Sequence, residues 1–182
     1  LVLTGKINNV GDPIMMNVPD SYRAGIELQG NAQLAPSLHL IANLTLSRNK
    51  IKNLTEYVDN WDTGDQQSIY YKETDISFSP PVIAGLSIQY MPLQSLTFML
   101  QSKYVGKQYI DNSSSNERKL HPYFVSDLRI DYSLSIPYIR DLNLFFVINN
   151  IFDHKYESNA WVYSYIYENQ RRKMDGYFPQ AG

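Results

Sequence analysis

Between Tyr22 and Leu34 every even-numbered position is apolar or small and every odd-numbered one is polar or glycine. Tyr22, Ala24, Ile26, Leu28, Gly30, Ala32 and Leu34 take the even positions, and Arg23, Gly25, Glu27, Gln29, Asn31 and Gln33 the odd ones. Side chains of a strand point alternately to its two faces, so the stretch is a strand with one apolar and one polar face. A helix, with its period of about 3.6, would mix the two sets. The run is also long, at about thirteen residues, where strands of soluble domains average roughly 5 to 6 and a tilted bilayer-spanning strand needs about 9 to 11.

Length and hydropathy narrow the choice. The chain has 182 residues, enough for one ordinary domain, and 43% of them are hydrophobic, with a mean hydropathy of −0.35. No run approaches the roughly 18 uninterrupted apolar residues of a membrane helix, so a β-barrel is the membrane-spanning architecture left open. A modest average hydropathy does not oppose it, because the two faces of a barrel strand cancel in any window. A net charge of −2 with scattered basic residues gives no footprint for nucleic acid. The absence of cysteine excludes a disulfide framework and thiolate metal sites. Fifteen Tyr, seven Phe and two Trp suit an interfacial girdle or a ligand-lining surface. Leu1 to Lys6 has neither the basic start nor the apolar core of a signal peptide, so either the protein is cytoplasmic or the chain begins inside a longer one.

Taken in order, Leu1 to Ile7 reads as the end of a strand and Asn8 to Ser21 as a loop broken by Gly11, Pro13 and Pro19. The alternating strand ends at Ala35-Pro36-Ser37. A second strand returns from Leu38 to Ser47, with Leu38, Leu40, Ala42, Leu44 and Leu46 on one face. Asn49 to Pro81 is expected to be a long polar loop with some local pairing. Val82 to Tyr90 and Leu96 to Val105 form a second hairpin around a turn at 91–95, and Gly106 to His121 a second long loop. Tyr123 to Leu134 and Leu142 to Asn149 form a third hairpin around a turn at 135–141 that contains Pro137. Connections thus alternate short and long, as do the tight turns and long external loops of an outer-membrane barrel.

The expected fold is therefore all-β, a fragment of an antiparallel transmembrane β-barrel with about six long strands in three hairpins. A soluble sandwich would instead cover the apolar faces with a second sheet. The opposite faces carry Arg23, Glu27, Lys103, Asp127, Arg129 and Asp131. In a barrel these charges project into a hydrated or plugged lumen, where they face a plug domain or neighbouring strands.

The segment from Leu144 to Asn159, centred on Asn149-Asn150-Ile151-Phe152-Asp153 and Tyr156, resembles the penultimate-strand signature of TonB-dependent outer-membrane receptors. Tyr177 to Gly182 looks like the opening of that family's final strand, and Ser21 to Leu28 like its Gly-Ile/Val-Glu-Leu strand. Ile151 stands where Leu is commoner. The resemblance covers essentially the whole chain. It implies that residues 1–182 are the C-terminal part of a plugged barrel of roughly 22 strands in the bacterial outer membrane, without the plug domain, the TonB-contacting segment or the last strand. It also implies a transporter that takes up a scarce ligand, foremost an iron complex such as a siderophore, with force from the inner-membrane TonB complex. The fragment would neither close a barrel nor transport alone. The rivals are a plug-less porin or adhesin of similar architecture and a soluble all-β carbohydrate-binding module.

Candidate ligand contacts are the loop aromatics: Tyr57, Trp61, Tyr70 and Tyr71 in one loop, and Trp161, Tyr163, Tyr165 and Tyr167 in another. Tyr163, Tyr165 and Tyr167 alternate as in a strand, which suits a hairpin standing above the membrane. Asp59, Asp62 and Asp65 with Gly64 do not follow the EF-hand spacing and read as a solvated acidic loop. His39, His121 and His154 lie far apart and outside metal or nucleophile motifs. Arg171-Arg172-Lys173 reads as a solvated loop or a lipopolysaccharide-facing patch. Nothing supports catalysis, and no cofactor or metal site is expected.

Overall fold

The computed structural model describes residues 2–8, 12–18 and 20–180. Leu1, Gly11 and Pro19 of the opening segment and Ala181-Gly182 of the closing one lie outside the described residues. All regular elements among these are strands: β1 (Val2–Ile7), β2 (Pro13–Met16), β3 (Asp20–Ala35), β4 (Leu38–Asn60), β5 (Gln66–Asp75), β6 (Val82–Leu93), β7 (Leu96–Val105), β8 (Gln108–Tyr109), β9 (Lys119–Leu120), β10 (Tyr123–Ile136), β11 (Ile139–Ile148), β12 (Tyr156–Tyr167) and β13 (Gln170–Gln180).

Six of them, β3, β4, β6, β7, β10 and β11, hydrogen-bond side by side in an antiparallel curled wall. These are the six long strands read from the sequence. Their lower ends are joined by two-residue connections, Pro36-Ser37, Gln94-Ser95 and Pro137-Tyr138. Directly paired residues share a face. One row runs through Leu28, Leu44, Ala84, Tyr104 and Phe124, and a lower one through Leu38, Tyr90, Phe98, Ile130 and Phe146. The lower row starts at the first residue of β4 and arrives well up β11, the stagger that closing a barrel requires.

The stretch from Asn49 to Pro81 is mostly ladder rather than loop. β4 runs on to Asn60 and β5 returns along it from Gln66 to Asp75. Two physical features hid it. Above the apolar belt neither face must be apolar, so alternation fades through Lys50, Lys52 and Asn53. Asn53 also sits at φ 51, and burial passes from odd positions, Asn49 and Ile51, to even ones, Leu54 and Val58. The last aromatic loop is likewise a hairpin, β12 with β13. The loop 106–121 carries the short ladder β8–β9, and the loop 8–21 carries β2 paired to β1.

Strand β4 is the hub. β3 pairs one of its edges up to Lys52 and β12 continues on that edge at Asp59 and Asn60; β6 pairs the other edge up to Leu46 and β5 continues there from Lys50. β1 crosses the upper part of β4. It can do so because Gly5, at φ 83, lies so close to the Tyr57 carbonyl that a Cβ would collide with it.

The buried apolar side chains sit in this upper region. Ile51, Leu54 and Ile76 form one cluster, and Ile110, Leu120 and Ala160 another. The wall itself has no second layer over its apolar face among the described residues: Leu28 is 58% and Phe146 59% exposed. Covering a side chain of this kind is worth roughly 1.5 to 3 kcal/mol, so a continuous face of them demands a non-aqueous neighbour.

Candidate functional site

Above the wall, segments far apart in sequence pack into one cap. Its aromatic part forms where the tips of the β4–β5 and β12–β13 hairpins meet. Trp61 stacks on Tyr165 with ring centroids 4.1 Å apart and lies 6.4 Å from Tyr163. The indole N–H of Trp61 donates to the Tyr163 hydroxyl at 3.3 Å, and that hydroxyl donates to Asp59 Oδ2 at 2.6 Å. Partial burial and the Asp59 carboxylate raise the Tyr163 hydroxyl above its ordinary pKa, so it remains a donor. Trp61 stays half exposed.

The turn that joins β12 to β13 places Glu168 at φ 54 and Asn169 at φ 57, the left-handed pair of a two-residue hairpin turn. Its amides would face water. Instead the N–H groups of Glu168 and Asn169 each donate to Asp62 at 2.9 Å, and Trp61 N–H donates to the Ile166 carbonyl at 2.9 Å. The acidic loop is thus used structurally: Asp62 caps a turn, and Asp59 binds Tyr163 and the side-chain amide of Gln66. No cluster of three or more metal-ligating side chains occurs among the described residues.

Deeper in the cap, three segments converge on Glu56 of β4. Arg171 Nη2 of β13 donates to Glu56 Oε1 at 2.5 Å, Tyr71 of β5 donates to Oε2 at 2.8 Å, and Arg118 Nη1 of the 106–121 segment lies 3.6 Å from Oε1. Arg118 also pairs with Asp111 and donates to Ser164 at 3.0 Å. Burial, then the hydrogen bond to Glu56, raises the Tyr71 hydroxyl. Arg171 is therefore part of a half-buried ion network, not a solvated or lipid-facing patch. Arg172, paired with Glu168 and lying over the Tyr167 ring, and Lys173, which donates to the Glu117 carbonyl and pairs with Asp175, both remain exposed. Sequence reasoning missed Glu56 because its arginines come from distant parts of the chain, 115 positions away for Arg171; Asp111 and Arg118, only seven positions apart, were missed because their polar segment read as plain loop.

The eight loop aromatics do not form one surface. Trp61, Tyr163 and Tyr165 come together. Tyr71 belongs to the ion network, Tyr57 lies under Lys6, and Tyr70 donates to Asn53 at 2.5 Å on the exposed side. Trp161 lies across Gly176 on β13, and Tyr167 ends β12 beside Arg172.

Cross-strand register places Arg23, Glu27, Lys103, Asp127, Arg129 and Asp131 on one face of the wall, opposite Leu28, Leu44 and Phe146. Several are already engaged. Arg129 binds Asp131 through bonds of 2.8 to 2.9 Å and lies over the Phe145 ring. Asp127 accepts the N–H of Asn150 at 2.8 Å. That bond explains the Asn149-Asn150-Ile151-Phe152-Asp153 segment. Asn150 sits at φ 48, and its amide group both donates to the His154 carbonyl and accepts the His154 N–H. Ile151 N–H donates to the Ser126 carbonyl and Phe152 stacks near Phe124. The segment is a clamp that fixes the exit of β11 against β10. Ser126 and Ser102, paired polar residues on the apolar face, satisfy each other at 2.7 Å.

An antiparallel wall with one lipid-compatible and one polar face, tight turns below and a packed cap above is a fragment of a transmembrane β-barrel. Residues 2–151 match the family model described as TonB dependent receptor-like, beta-barrel, and the chain belongs to that family. The β12–β13 hairpin lies beyond the matched residues. No curated protein matches the chain. Among solved structures it is similar to the siderophore receptor PiuA from Acinetobacter baumannii, with a TM-score of 0.62, 20% identity, and 87% of this chain covering 20% of that one. It is similar to the ferric yersiniabactin uptake receptor FyuA from Yersinia pestis, with a TM-score of 0.54, 20% identity, and 85% of this chain covering 21% of that one. It is also similar to a mutant of the ferric enterobactin receptor PfeA from Pseudomonas aeruginosa in complex with enterobactin, with a TM-score of 0.50, 21% identity, and 79% covering 19%. The chain spans about a fifth of each of these structures. The family and these neighbours are receptors, not enzymes.

Proposed function

We propose that this chain is the C-terminal part of the barrel of a bacterial outer-membrane receptor, which takes up an iron complex of the siderophore class with energy from the TonB complex. The observation that carries the reading is the bare apolar face of the wall. A soluble module would cover Leu28, Leu44 and Phe146 with a second sheet, whereas lipid covers them in an outer membrane. The family match supports the coupling to TonB, and three neighbours whose names concern siderophore or ferric uptake support the cargo class.

In this reading the polar face lines the lumen, and Arg23, Glu27, Lys103 and the Arg129–Asp131 pair face a plug domain contributed by preceding sequence. A final strand beyond residue 182 pairs with β11. The cap faces the outside, and its aromatic junction of Trp61, Tyr163 and Tyr165 meets the ligand on arrival. The test is uptake of radio-iron presented as ferric siderophores by iron-starved cells with and without the intact gene. Gene-dependent uptake that also disappears when TonB is removed supports the proposal; an unchanged rate in the deletion overturns it.

A further inference from the structure

On β4 the apolar row that begins at Leu38 and passes through Leu44 to Leu46 runs straight into charge. The next three side chains on that face are Arg48, Lys50 and Lys52, while the intervening Asn49 and Ile51 are buried on the opposite side. The change is abrupt. Leu46 lies between Ile26 of β3 and Val82 of β6, Arg48 lies opposite Ala24, and Lys50 lies between Tyr22 of β3 and Asp75 of β5.

Height along the wall accounts for the change. Leu38 to Leu46 covers roughly 27 Å of strand, which at a tilt near 40° is about 20 Å of bilayer thickness. The apolar band of a barrel is about 25 Å tall, so Arg48 emerges where the outer headgroups begin, with Lys50 one step above it. A long cationic side chain at this level lays its stem along the apolar row and puts its charge among the headgroups.

Carboxylates of β5 gather the cations into one group. Glu73 Oε1 lies 3.3 Å from Arg48 Nη2 and 3.9 Å from Lys50 Nζ, and Lys50 Nζ lies 2.8 Å from Asp75 Oδ1. One carboxylate oxygen thus sets the spacing of the two lower cations. Lys52 is drawn aside, its ammonium 5.6 Å from the centre of the Tyr22 ring. Asp20 and Glu73 are paired with Lys52 and Asp75 with Lys50, whereas the β3 partner of Arg48 is Ala24. The three cations and three carboxylates balance in number but are layered in height, and a headgroup rising from the bilayer meets Arg48 first.

We propose that Arg48 and Lys50 bind a phosphate group of an anionic lipid in the outer leaflet, whose acyl chains run down the row of Ile26, Leu46 and Val82. The Arg48 side chain is 64% exposed, and its guanidinium fork suits two phosphate oxygens, with the Lys50 ammonium as a second point charge. The sequence placed a lipid-facing patch at Arg171-Arg172-Lys173; the lipid contact belongs instead to the wall, since Arg171 is turned into the Glu56 network. The site rests on the receptor reading for the orientation of the wall in an outer membrane.

The test is native mass spectrometry of the purified, heat-modifiable full-length receptor in detergent, incubated with diphosphorylated lipid A or with the same lipid stripped of its phosphates. The wild type is expected to retain the phosphorylated lipid. Retention is expected to fall about fivefold without the phosphates, and about fivefold in the double variant Arg48→Gln/Lys50→Gln. Arg48→Lys is expected to keep most of it, and Arg172→Gln, in the cap, all of it. Equal retention of the stripped lipid or by the double variant overturns the proposal. So does a loss shared by Arg172→Gln, or no retention by the wild type, which would mean that another part of the barrel covers the row. The measurement needs neither iron nor TonB: retention through Arg48 and Lys50 in a receptor without iron uptake leaves the lipid site standing and the uptake reading overturned, and uptake without retention does the reverse.

Discussion

The hydroxyl of Tyr163 donates to the carboxylate of Asp59 at 2.6 Å across 104 positions of sequence. The bond ties β12 to β4 where the two strands begin to run in parallel, Tyr165 opposite Asp59 and Ile166 opposite Asn60. It is one of several fastenings at this junction, together with the Trp61–Tyr165 stack and the Asp62 cap.

Replacing Tyr163 by Phe removes the fastening and leaves the ring in place. A hydrogen bond to a charged group contributes about 1.5 to 3 kcal/mol, reduced here to roughly 1 kcal/mol by partial exposure. Hydrogen exchange of residues 156–180 in the full-length receptor is expected to quicken about fivefold, with exchange in β6 and β7 unchanged.

The Asp62 carboxyl is held below the ordinary carboxylate range by the amide hydrogens of Asn169 and Glu168, with Arg172 adding to them. A lowered acid stabilises the docked turn at every pH above the ordinary value of about 4. That contribution is lost as pH falls through the lowered value. Protection of the amides at 168 and 169, corrected for intrinsic exchange rates, is expected to hold from pH 7 to about 4 and to collapse below. Asp62→Asn removes this dependence and leaves protection weak throughout.

Arg118 is buried and sits between Asp111 and Glu56. Arg118→Met leaves the Asp111 carboxylate without a cation, held only by the N–H and Oγ of Ser113, whereas Glu56 keeps Arg171. Breaking a buried pair costs about 3 to 5 kcal/mol, and the remaining arginine holds the effect near the lower end. Limited proteolysis is expected to cut the 106–121 segment of the variant in a barrel that is otherwise intact. Cleavage no faster than in the wild type would remove the network from the account of the cap.

Leu28 and Gln29 are neighbours on opposite faces of β3. Arginine on a lipid face near the midplane costs about 2 to 4 kcal/mol, and far less on a polar face. Leu28→Arg, Leu44→Arg and Phe146→Arg are expected to lower the yield of folded, heat-modifiable barrel in outer-membrane fractions. Gln29→Arg is expected to assemble normally.

The wall was legible in the sequence because lipid on one side and water on the other impose a strict two-residue period. Tyr22 to Leu34 shows it, with one glycine on each face, and the structure pairs Tyr22 to Gln33 with β4 residue by residue before a register shift between Gln33 and Ala35. The cap was not legible, since water surrounds it and no such period is imposed. Lys52, Asn53 and Glu73 read as loop residues although β4 and β5 pair along this stretch, with Lys52 opposite Glu73. The alternation of Tyr163, Tyr165 and Tyr167 did announce a hairpin. The partners of Glu56 and Asp62 had no local trace, because those contacts join segments that only the fold brings together. The Asn150 clamp lies between these cases: its motif was visible, and its reason, a left-handed residue bonded to Asp127 and His154, required the structure.

The central claim is that the even face of β3 meets lipid and the odd face meets water. It is tested most directly by nitroxide labels on single cysteines at positions 28 and 29 of the full-length receptor in bilayers, with collisional access of oxygen and of a water-soluble nickel chelate measured at each. The account predicts high oxygen and low nickel access at 28, and the reverse at 29. Nickel access at 28 equal to that at 29 would contradict it.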